Sequence, residues 1–352
     1  MAQNYQRIGD YISLVDERNT DGSITLLMGI SIDKCYIKSV ANVIGTDLHN
    51  YKVIRKGQFA CSLMQVSRDQ RIPLAMYSSD VPAIMSPAYV LFEVNRLDEL
   101  LPEYLDLWFK RAEFDREASF YAVGGVRGSL DWEDFCNMKL PIPSISEQRS
   151  FVHNYQVVSN RILLLNKSNE VLNNIAYTLY LKLVGTEDKT KWHEGTLSEL
   201  LNVKYGKDHS SLKDGNIPLY GSGGLMRFVE RPLYDKVSVL IPRKGTLNNI
   251  MYVDDPFWSV DTMFYTEIYN RHAAKFIYFF LKGIDFNGLN TGSAVPSTST
   301  EVINSLGLWI PDNQALEEFD HALTPLFARI KSNKAECEKL EELQTLIAIS
   351  MS

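Results

Sequence analysis

Hydrophobic residues recur at steps of three and four along two stretches of the chain, and this spacing predicts two long amphipathic helices, over residues 144–184 and 312–352. The predicted buried positions match at an offset of 168 residues. They are Val158, Ile162, Leu165, Asn169, Leu172, Ala176, Leu179 and Leu183, and then Leu326, Ile330, Asn333, Cys337, Leu340, Gln344, Ile347 and Met351. Heptad spacing of this kind predicts that the two helices pack on each other as a coiled coil.

Polar residues interrupt both hydrophobic series. Asn169 and Asn333 lie one step out of register between the copies, which is expected if a buried asparagine fixes the alignment of the helices at some cost in stability. A tolerated polar residue near the surface explains them equally well. Gln344 is a second interruption, and the neighbouring Leu343 is expected to take over the packing there.

The junctions that precede the helices are also repeated. LPIPSISEQRSF begins at Leu140 and LWIPDNQALEEF begins at Leu308, again 168 positions apart. Ser144 and Glu147 have the spacing of a capping box, and Asp312 is placed to cap the second helix. Gly185 is expected to end the first helix, and Pro325 to kink the second or remove one of its hydrogen bonds.

Upstream of each junction the two halves share a plan. Each half has a predicted strand rich in aromatic and β-branched residues, then a short helical run, then a Gly/Ser loop at 123–129 or 290–297. The predicted fold is α+β, with two globular mixed α/β domains (1–143 and 185–311) separated by two long helices. The helices are predicted to form an antiparallel coiled coil, and the whole to be a pseudo-twofold internal repeat.

Composition narrows the class of protein. The chain has 352 residues, a net charge of -7 and 45% hydrophobic residues, which suits a globular protein of two domains. The acidic charge argues against tight binding of nucleic acid by this chain alone. With neither a membrane span nor a signal peptide in the pattern, a cytoplasmic location is expected, and the four separated cysteines are expected to be reduced.

Recognisable catalytic motifs are missing from the sequence. No GxxxxGK[ST] loop occurs, DDPFW at Asp254 to Trp258 lacks the features of a methyltransferase loop, and GGVRG at Gly124 lacks the context of a dinucleotide site. The histidines are scattered, and Asp312 is better explained as a helix cap than as a nuclease ligand. The chain is therefore expected to be non-catalytic and to hold no metal.

The order of these motifs resembles the specificity subunit of type I restriction-modification enzymes. The resemblance covers essentially the whole chain and depends on PIPSISEQR (141–149), IPLYGSGGLMRF (217–228), LIPRKGT (240–246) and WSVDTMFY (258–265). It implies that each globular domain is a target recognition domain reading one half of a split DNA sequence, while the helices fix the spacer. Ala315 and Leu316 stand where the first junction has Glu147 and Gln148. The resemblance therefore does not imply that the two halves offer equivalent surfaces to partner subunits.

The resemblance also implies partners and a cofactor. Two methyltransferase subunits, which bind S-adenosylmethionine and methylate adenine, would dock on the chain together with nuclease-translocase subunits, and double-stranded DNA would be the ligand. Two other hypotheses remain: a coiled-coil adaptor protein, and a specificity module of another defence or stand-alone methylation system. An enzyme is disfavoured by the missing motifs.

Candidate DNA-binding residues are the cationic, amide and hydroxyl side chains of predicted loops, because these groups contact bases and phosphates. In the first half they are Arg55, Lys56, Gln65, Arg68, Gln70, Arg71 and Arg127. In the second half they are Lys204, Lys207, His209, Tyr220, Ser222, Arg243, Lys244, Asn248, Asn249, Ser293 and Ser297. Arg55 and Lys56 recur as Arg243 and Lys244, which suggests a shared task such as contact with the DNA backbone or strand-turn structure, and for DNA it favours phosphate over base contact.

Overall fold

The structure is a computed structural model that describes residues 5–39, 45–64, 66–124, 128–186, 189–286, 288 and 298–351. The chain divides into two compact units. Unit 1 comprises Met1–Leu164 and Glu336–Ser352, and unit 2 comprises Leu165–Ala335. The division falls inside both long helices, so each unit contains a globular part together with a segment of each helix.

Unit 1 contains short strands and helices. Its strands are β1 (Tyr5–Arg7), β2 (Ile12–Val15), β3 (Met28–Ile30), β4 (Tyr36–Lys38), β5 (Lys52–Ile54), β6 (Phe59–Cys61), β7 (Leu74–Met76), β8 (Ala83–Met85), β9 (Val90–Val94) and β10 (Lys139–Pro141). Its helices are α1 (Val66–Asp69), α2 (Pro102–Phe109), α3 (Ala112–Tyr121), α4 (Trp132–Asn137), the start of α5 (Ile145–Val184) and residues 336–349 of the last helix. Short 3-10 helices cover Ile8–Asp10, Leu48–Asn50 and Ala122–Gly124.

Unit 2 is built from the remaining elements. Its strands are β11 (His193–Thr196), β12 (Leu201–Tyr205), β13 (Asp214–Gly221), β14 (Gly224–Val229), β15 (Ser238–Pro242), β16 (Met251–Val253), β17 (Trp258–Ser259), β18 (Met263–Ile268) and β19 (Gly307–Ile310). Its helices are α6 (Ala274–Lys282), α7 (Thr300–Asn304), the end of α5 and most of α8 (Asn313–Ile349). Short 3-10 helices cover Leu197–Glu199 and Arg271–Ala273.

The two units contain sheets of the same topology. Unit 1 has a four-stranded antiparallel sheet in the order β2-β9-β6-β7, and unit 2 has one in the order β12-β18-β15-β16. In both halves the strand of the repeated junction pairs with the first strand of that half, β10 with β1 and β19 with β11. The same order of pairing in both halves is what an internal repeat predicts.

Aromatic side chains fill the core of each unit. In unit 1, Phe59 and Phe92 are fully buried and stack with ring centroids 5.1 Å apart. In unit 2, Tyr180 of α5 packs on Phe276 and Phe279 of α6, so the long helix is part of this core. The globular part of unit 2 thus gives its helix segment an extensive apolar surface to bury against.

The helix ends follow the predicted caps. The backbone N–H of Ser144 donates to Glu147 Oε2 (3.0 Å), and the Glu147 N–H donates to Ser144 Oγ (3.3 Å), which is a capping box. Asp312 Oδ1 accepts from the N–H groups of Gln314 (2.9 Å) and Ala315 (3.2 Å). Helix α5 ends at Val184, next to Gly185, whereas α8 continues through Pro325.

Within each unit, the contacting segments of α5 and α8 run antiparallel. In unit 1, Gln344 Nε2 donates to Ser159 Oγ (2.6 Å), and Arg161 Nε donates to Glu336 Oε1 (2.7 Å). In unit 2, Asn169 contacts Asn333, and further along Tyr180 packs on Phe319. The supercoil of the helices and the pseudo-twofold relation of the halves stay predictions.

Ten branched apolar residues are predicted on the packed faces of the two helices, and all but one of them are buried or half-buried. Those that are buried are Val158, Leu165 and Ile330, and those that are half-buried are Ile162, Leu172, Leu179, Leu326, Leu340 and Ile347. Leu343 is 43% exposed, so the expectation that it takes over from Gln344 is corrected. Gln344 keeps its place in the helix contact because Ser159 on α5 offers its side chain a hydrogen-bond acceptor.

Asn169 and Asn333 form a buried amide pair in unit 2. The two residues are 9% and 1% exposed, and Asn333 Nδ2 donates to Asn169 Oδ1 at 2.8 Å. Asn333 Oδ1 is buried without a hydrogen-bond partner among the described residues. A buried polar pair whose mutual hydrogen bond forms only in this alignment supports the register-fixing explanation over a tolerated surface position.

Replacing Asn169 and Asn333 together by leucine is expected to raise the free energy of unfolding by about 1–2 kcal/mol, because the unpaired carbonyl oxygen is removed and apolar contact replaces it. Urea denaturation measures the change. The single variant Asn333→Leu is the control, since it leaves Asn169 Oδ1 without its donor and should be less stable than the double variant. A double variant less stable than the wild type would contradict the expectation.

Candidate nucleic-acid interface

Two loops occupy corresponding positions in the two units. In unit 1, β6 leads into residues 62–73, and in unit 2, β15 leads into residues 243–250. The ladder partners show the correspondence, because Cys61 pairs with Val90 of β9 and Ile241 pairs with Phe264 of β18. These two loops contain most of the candidate residues predicted for the first half and several of those predicted for the second.

The chain also returns to the same point of each loop. The Leu130 N–H donates to the Leu63 carbonyl oxygen (2.9 Å) in unit 1, and the Thr298 N–H donates to the Arg243 carbonyl oxygen (3.2 Å) in unit 2. Leu130 and Thr298 follow the two predicted Gly/Ser loops and lie 168 positions apart. In both units, therefore, the segment after the Gly/Ser loop is hydrogen-bonded to the loop that follows β6 or β15.

In unit 2, three further segments converge on this loop. Asn249 Nδ2 donates to the Ser222 carbonyl oxygen (2.8 Å), which ties the loop to the β13–β14 turn. Ser259 connects the others, because its carbonyl oxygen accepts from the Lys207 N–H (2.9 Å) and it pairs with Tyr220 in the sheet. The candidates Lys207, Tyr220, Ser222 and Asn249 are thus connected by strand pairing, a backbone hydrogen bond and the side-chain amide of Asn249.

Three cations in this part of unit 2, Lys207, Arg243 and Lys244, have no acidic partner among the described residues. The Arg243 guanidinium lies over the Tyr205 ring, 5.6 Å from its centroid, and Lys207 and Lys244 are exposed. Among the described residues, no carboxylate oxygen lies within 4.0 Å of the charged groups of these three cations. Their charge is available to an anionic ligand such as a DNA phosphate.

The other described candidates of the second half that have polar contacts make them with other side chains of unit 2. Lys204 is 3.6 Å from Glu267 on the neighbouring strand, and Asn248 Nδ2 reaches Asp285 at 3.4 Å. The His209 ring nitrogen Nδ1 is buried without a described partner, while its carbonyl oxygen accepts from Arg227. Ser293 and Ser297 lie outside the described residues.

The cations of the corresponding loop in unit 1 are paired with carboxylates. Arg68 contacts Asp69 (2.7 Å), whose pKa is lowered by this hydrogen bond, and Arg71 contacts Asp33 (3.0 Å). Gln70 has a positive φ of 51°, an uncommon conformation for a residue other than glycine. Gln65 and Arg127 lie outside the described residues.

Arg55 and Lys56 are not the counterparts of Arg243 and Lys244. They precede β6, whereas Arg243 and Lys244 follow β15, so the two pairs lie at opposite ends of corresponding strands. Arg55 donates two hydrogen bonds to Glu17 (2.9 and 2.6 Å), and Lys56 contacts Asp80 (2.8 Å). The two pairs therefore do not recur at equivalent positions, because the similar letters around each turn glycine concealed a different topology.

Tyr205 is a site residue that the sequence patterns did not single out. Its side chain is 52% exposed at the end of β12, and its ring packs against the guanidinium of Arg243. An aromatic ring beside an unpaired guanidinium fixes the orientation of that group without neutralising it. The signal was the aromatic residue directly before Gly206, in the same polar stretch as Lys204 and Lys207.

The described residues contain no cluster of three or more metal-ligating side chains. None of the described helices has an apolar stretch long enough for a membrane crossing.

Comparison with solved structures supports the fold. The S subunit of a type I restriction-modification system from M. genitalium matches with 18% identity and a TM-score of 0.64, over 99% of this chain and 96% of that one. A chain from a type I R-M complex (14% identity, TM-score 0.48, 100% and 98% coverage) is more distant. So is the HsdS subunit from Thermoanaerobacter tengcongensis (14%, 0.39, 99% and 96%). No curated protein gave a significant match.

Comparison with family profiles concerns unit 2 and the helix that follows. Residues 189–342 match the profile described as the type I restriction modification DNA specificity domain. The matched segment contains Lys207, Arg243 and Lys244 with the loops that position them, so the profile and the geometry concern the same part of the chain. The match of residues 189–342 to the type I restriction modification DNA specificity domain confirms the resemblance found in the sequence.

Proposed function

We propose that this chain is the DNA-recognition subunit of a type I restriction-modification system and that each unit reads one half of a split target. The observation that carries the proposal is the group of unpaired cations in unit 2, Lys207, Arg243 and Lys244, inside a segment of the DNA specificity domain family. Cations without carboxylate partners suit phosphate contact.

The corresponding loops support reading by both units. Residues 62–73 and 243–250 follow equivalent strands, and each is hydrogen-bonded to the segment after a Gly/Ser loop. Their sequences differ, so the two half-sites are expected to differ in sequence. The ion pairs around Arg68 and Arg71 would open when phosphates or bases displace the exposed carboxylates, at little cost for surface pairs.

The long helices are proposed to set the spacer between half-sites and to scaffold the partner subunits. Helix α5 has 40 residues, which corresponds to about 60 Å. Two half-sites read from one face of the duplex lie about 34 Å apart per helical turn, so a helix pair of this length is sufficient to span them. The proposal includes two methyltransferase subunits binding S-adenosylmethionine, nuclease-translocase subunits, and no catalysis by this chain.

Mapping N6-methyladenine in cells that co-express this chain with the methyltransferase subunit of its own system is expected to give a split motif with a fixed gap. Single-molecule sequencing detects the modification. Exchange of residues 1–143 with those of another specificity subunit should change one half-motif, and exchange of residues 185–311 should change the other. The unexchanged half is the internal control for folding and assembly.

Other outcomes would favour other functions. Unmethylated DNA despite a stable complex would favour the coiled-coil adaptor. A split motif that is methylated without any translocase subunit in the genome would place the chain in a stand-alone methylation system. A motif that both exchanges leave unchanged would contradict the proposal.

A further inference from the structure

Strands β13 and β14 form a two-stranded ribbon whose outer strand exposes large apolar side chains. β14 is the edge of the sheet β14-β13-β17, and Leu225, Met226 and Phe228 on it are 49%, 56% and 47% exposed. The tip is open, because a side chain built on Gly223 or Gly224 would meet no described atom within 4 Å. An exposed apolar edge strand is a typical site for binding another molecule, so the question is which molecule covers it.

The tip of this ribbon belongs to the group of loops that contains the unpaired cations. Asn249 is hydrogen-bonded to Ser222 in the turn, and a Cβ atom on Gly245 would lie 2.7 Å from Ser222 Oγ. Met226 packs against the turn as well, since its sulfur would lie 2.5 Å from a Cβ atom on Gly221. Apolar side chains and positive charge are therefore next to each other on one surface of unit 2.

This combination distinguishes DNA from a second protein copy as the ligand. A second copy that presented this same surface would offer Lys207, Arg243 and Lys244 only the same cations and no anionic partner. A DNA duplex carries phosphates for the cations, and its major groove, about 12 Å wide, admits a two-stranded ribbon. The floor of that groove contains one apolar group, the 5-methyl group of thymine.

We propose that Leu225 and Met226 contact thymine 5-methyl groups in the major groove of the half-site read by unit 2. The inference rests on the proposed function and adds the class of base pair that the ribbon selects, namely T·A against C·G. The cations beside the ribbon bind the phosphates and so fix how deeply the ribbon enters the major groove. The two apolar side chains then bury the methyl groups.

Deoxyuridine is the probe, because it differs from thymidine only by the missing methyl group. The purified complex with methyltransferase is titrated with a duplex containing the mapped motif, with each thymine of the unit 2 half-site replaced in turn. Affinity is expected to fall about fourfold at one or two positions, the effect of losing one buried methyl-sized group. Thymines of the other half-site should be insensitive.

Variants of the ribbon connect that effect to its side chains. Leu225→Ala/Met226→Ala should bind thymine and deoxyuridine duplexes equally, while Tyr269→Ala should keep the discrimination. Tyr269 is a matched control because it is 65% exposed and lies just beyond the opposite end of β18 from Tyr205. Equal thermal unfolding of the variants and the wild type shows that folding is intact.

Three results would overturn the inference: a unit 2 half-site without any T·A pair, a wild-type complex insensitive to deoxyuridine, or a ribbon variant that changes oligomeric state instead of base discrimination. None of them would remove the proposed function, provided that the complex still methylates a split motif. Loss of the motif itself would instead remove the proposed function.

Discussion

Replacing Asp320 by alanine is expected to lower the free energy of unfolding by about 3–5 kcal/mol, because a buried ammonium group is left without its partner charge. Lys275 and Asp320 are 5% and 7% exposed, and Lys275 Nζ donates to Asp320 Oδ1 and to Thr324 Oγ1 (3.0 Å). The His272 ring nitrogen Nδ1 lies 2.9 Å from Asp320 Oδ2. This network joins α6 to α8, so its loss should loosen the attachment of the helix to the core of unit 2.

Urea denaturation followed by tryptophan fluorescence measures this loss. Lys331→Ala is the matched control, because Lys331 lies on the same helix as Asp320 and also forms ion pairs, with Asp254 (3.0 Å) and Asp255 (2.6 Å). Its side chain, however, is 52% exposed. Surface pairs contribute about 0–1 kcal/mol, so the control should change little. Equal losses in the two variants would show that burial of the Lys275–Asp320 pair is not what stabilises unit 2.

Reversing the charges of Arg243 and Lys244 by substitution with glutamate is expected to weaken DNA binding by roughly 30-fold or more at 0.15 M salt, because two phosphate contacts are lost. Each contact also contributes about 1 to the slope of log affinity against log salt, so the slope should fall by about 2. Fluorescence anisotropy of the methyltransferase complex with a labelled duplex gives both quantities. The loss should be similar for specific and unrelated sequences.

The matched control is Arg55→Glu/Lys56→Glu in unit 1. These cations already pair with Glu17 and Asp80, and they lie at the opposite end of the corresponding strand. Their reversal should reduce affinity far less and leave the salt slope nearly unchanged. If the two double variants behave alike, overall charge rather than the loop after β15 controls binding.

The sequence by itself determined the helical framework. The signals were local: the heptad spacing, the capping box of Ser144 and Glu147, and the cap at Asp312. Helices α5 (Ile145–Val184) and α8 (Asn313–Ile349) begin and end within a few residues of the predicted limits. Such signals are readable because a helix is closed by hydrogen bonds between near neighbours and its buried face repeats with a fixed period.

Only the tertiary structure decided which loops correspond between the two halves. The same three residue types occur at Arg55-Lys56-Gly57 and at Arg243-Lys244-Gly245, and both glycines have a positive φ (86° and 85°). The first turn nevertheless precedes strand β6, whereas the second follows strand β15. Strand pairing joins residues far apart in sequence, so similar letters do not establish similar positions. The ladders identify Leu63 as the counterpart of Arg243.

The tertiary structure also decided which of the candidate arginines are paired with carboxylates. In the sequence, Arg68, Arg71 and Arg243 are equivalent loop arginines; in the structure two of them meet carboxylates and the third meets the Tyr205 ring. The buried contact of Asn169 with Asn333 was likewise undecided between two explanations until the helices were paired. Composition and period fix which residues are in a loop or on a helix face, whereas long-range packing determines which partner each polar group finds.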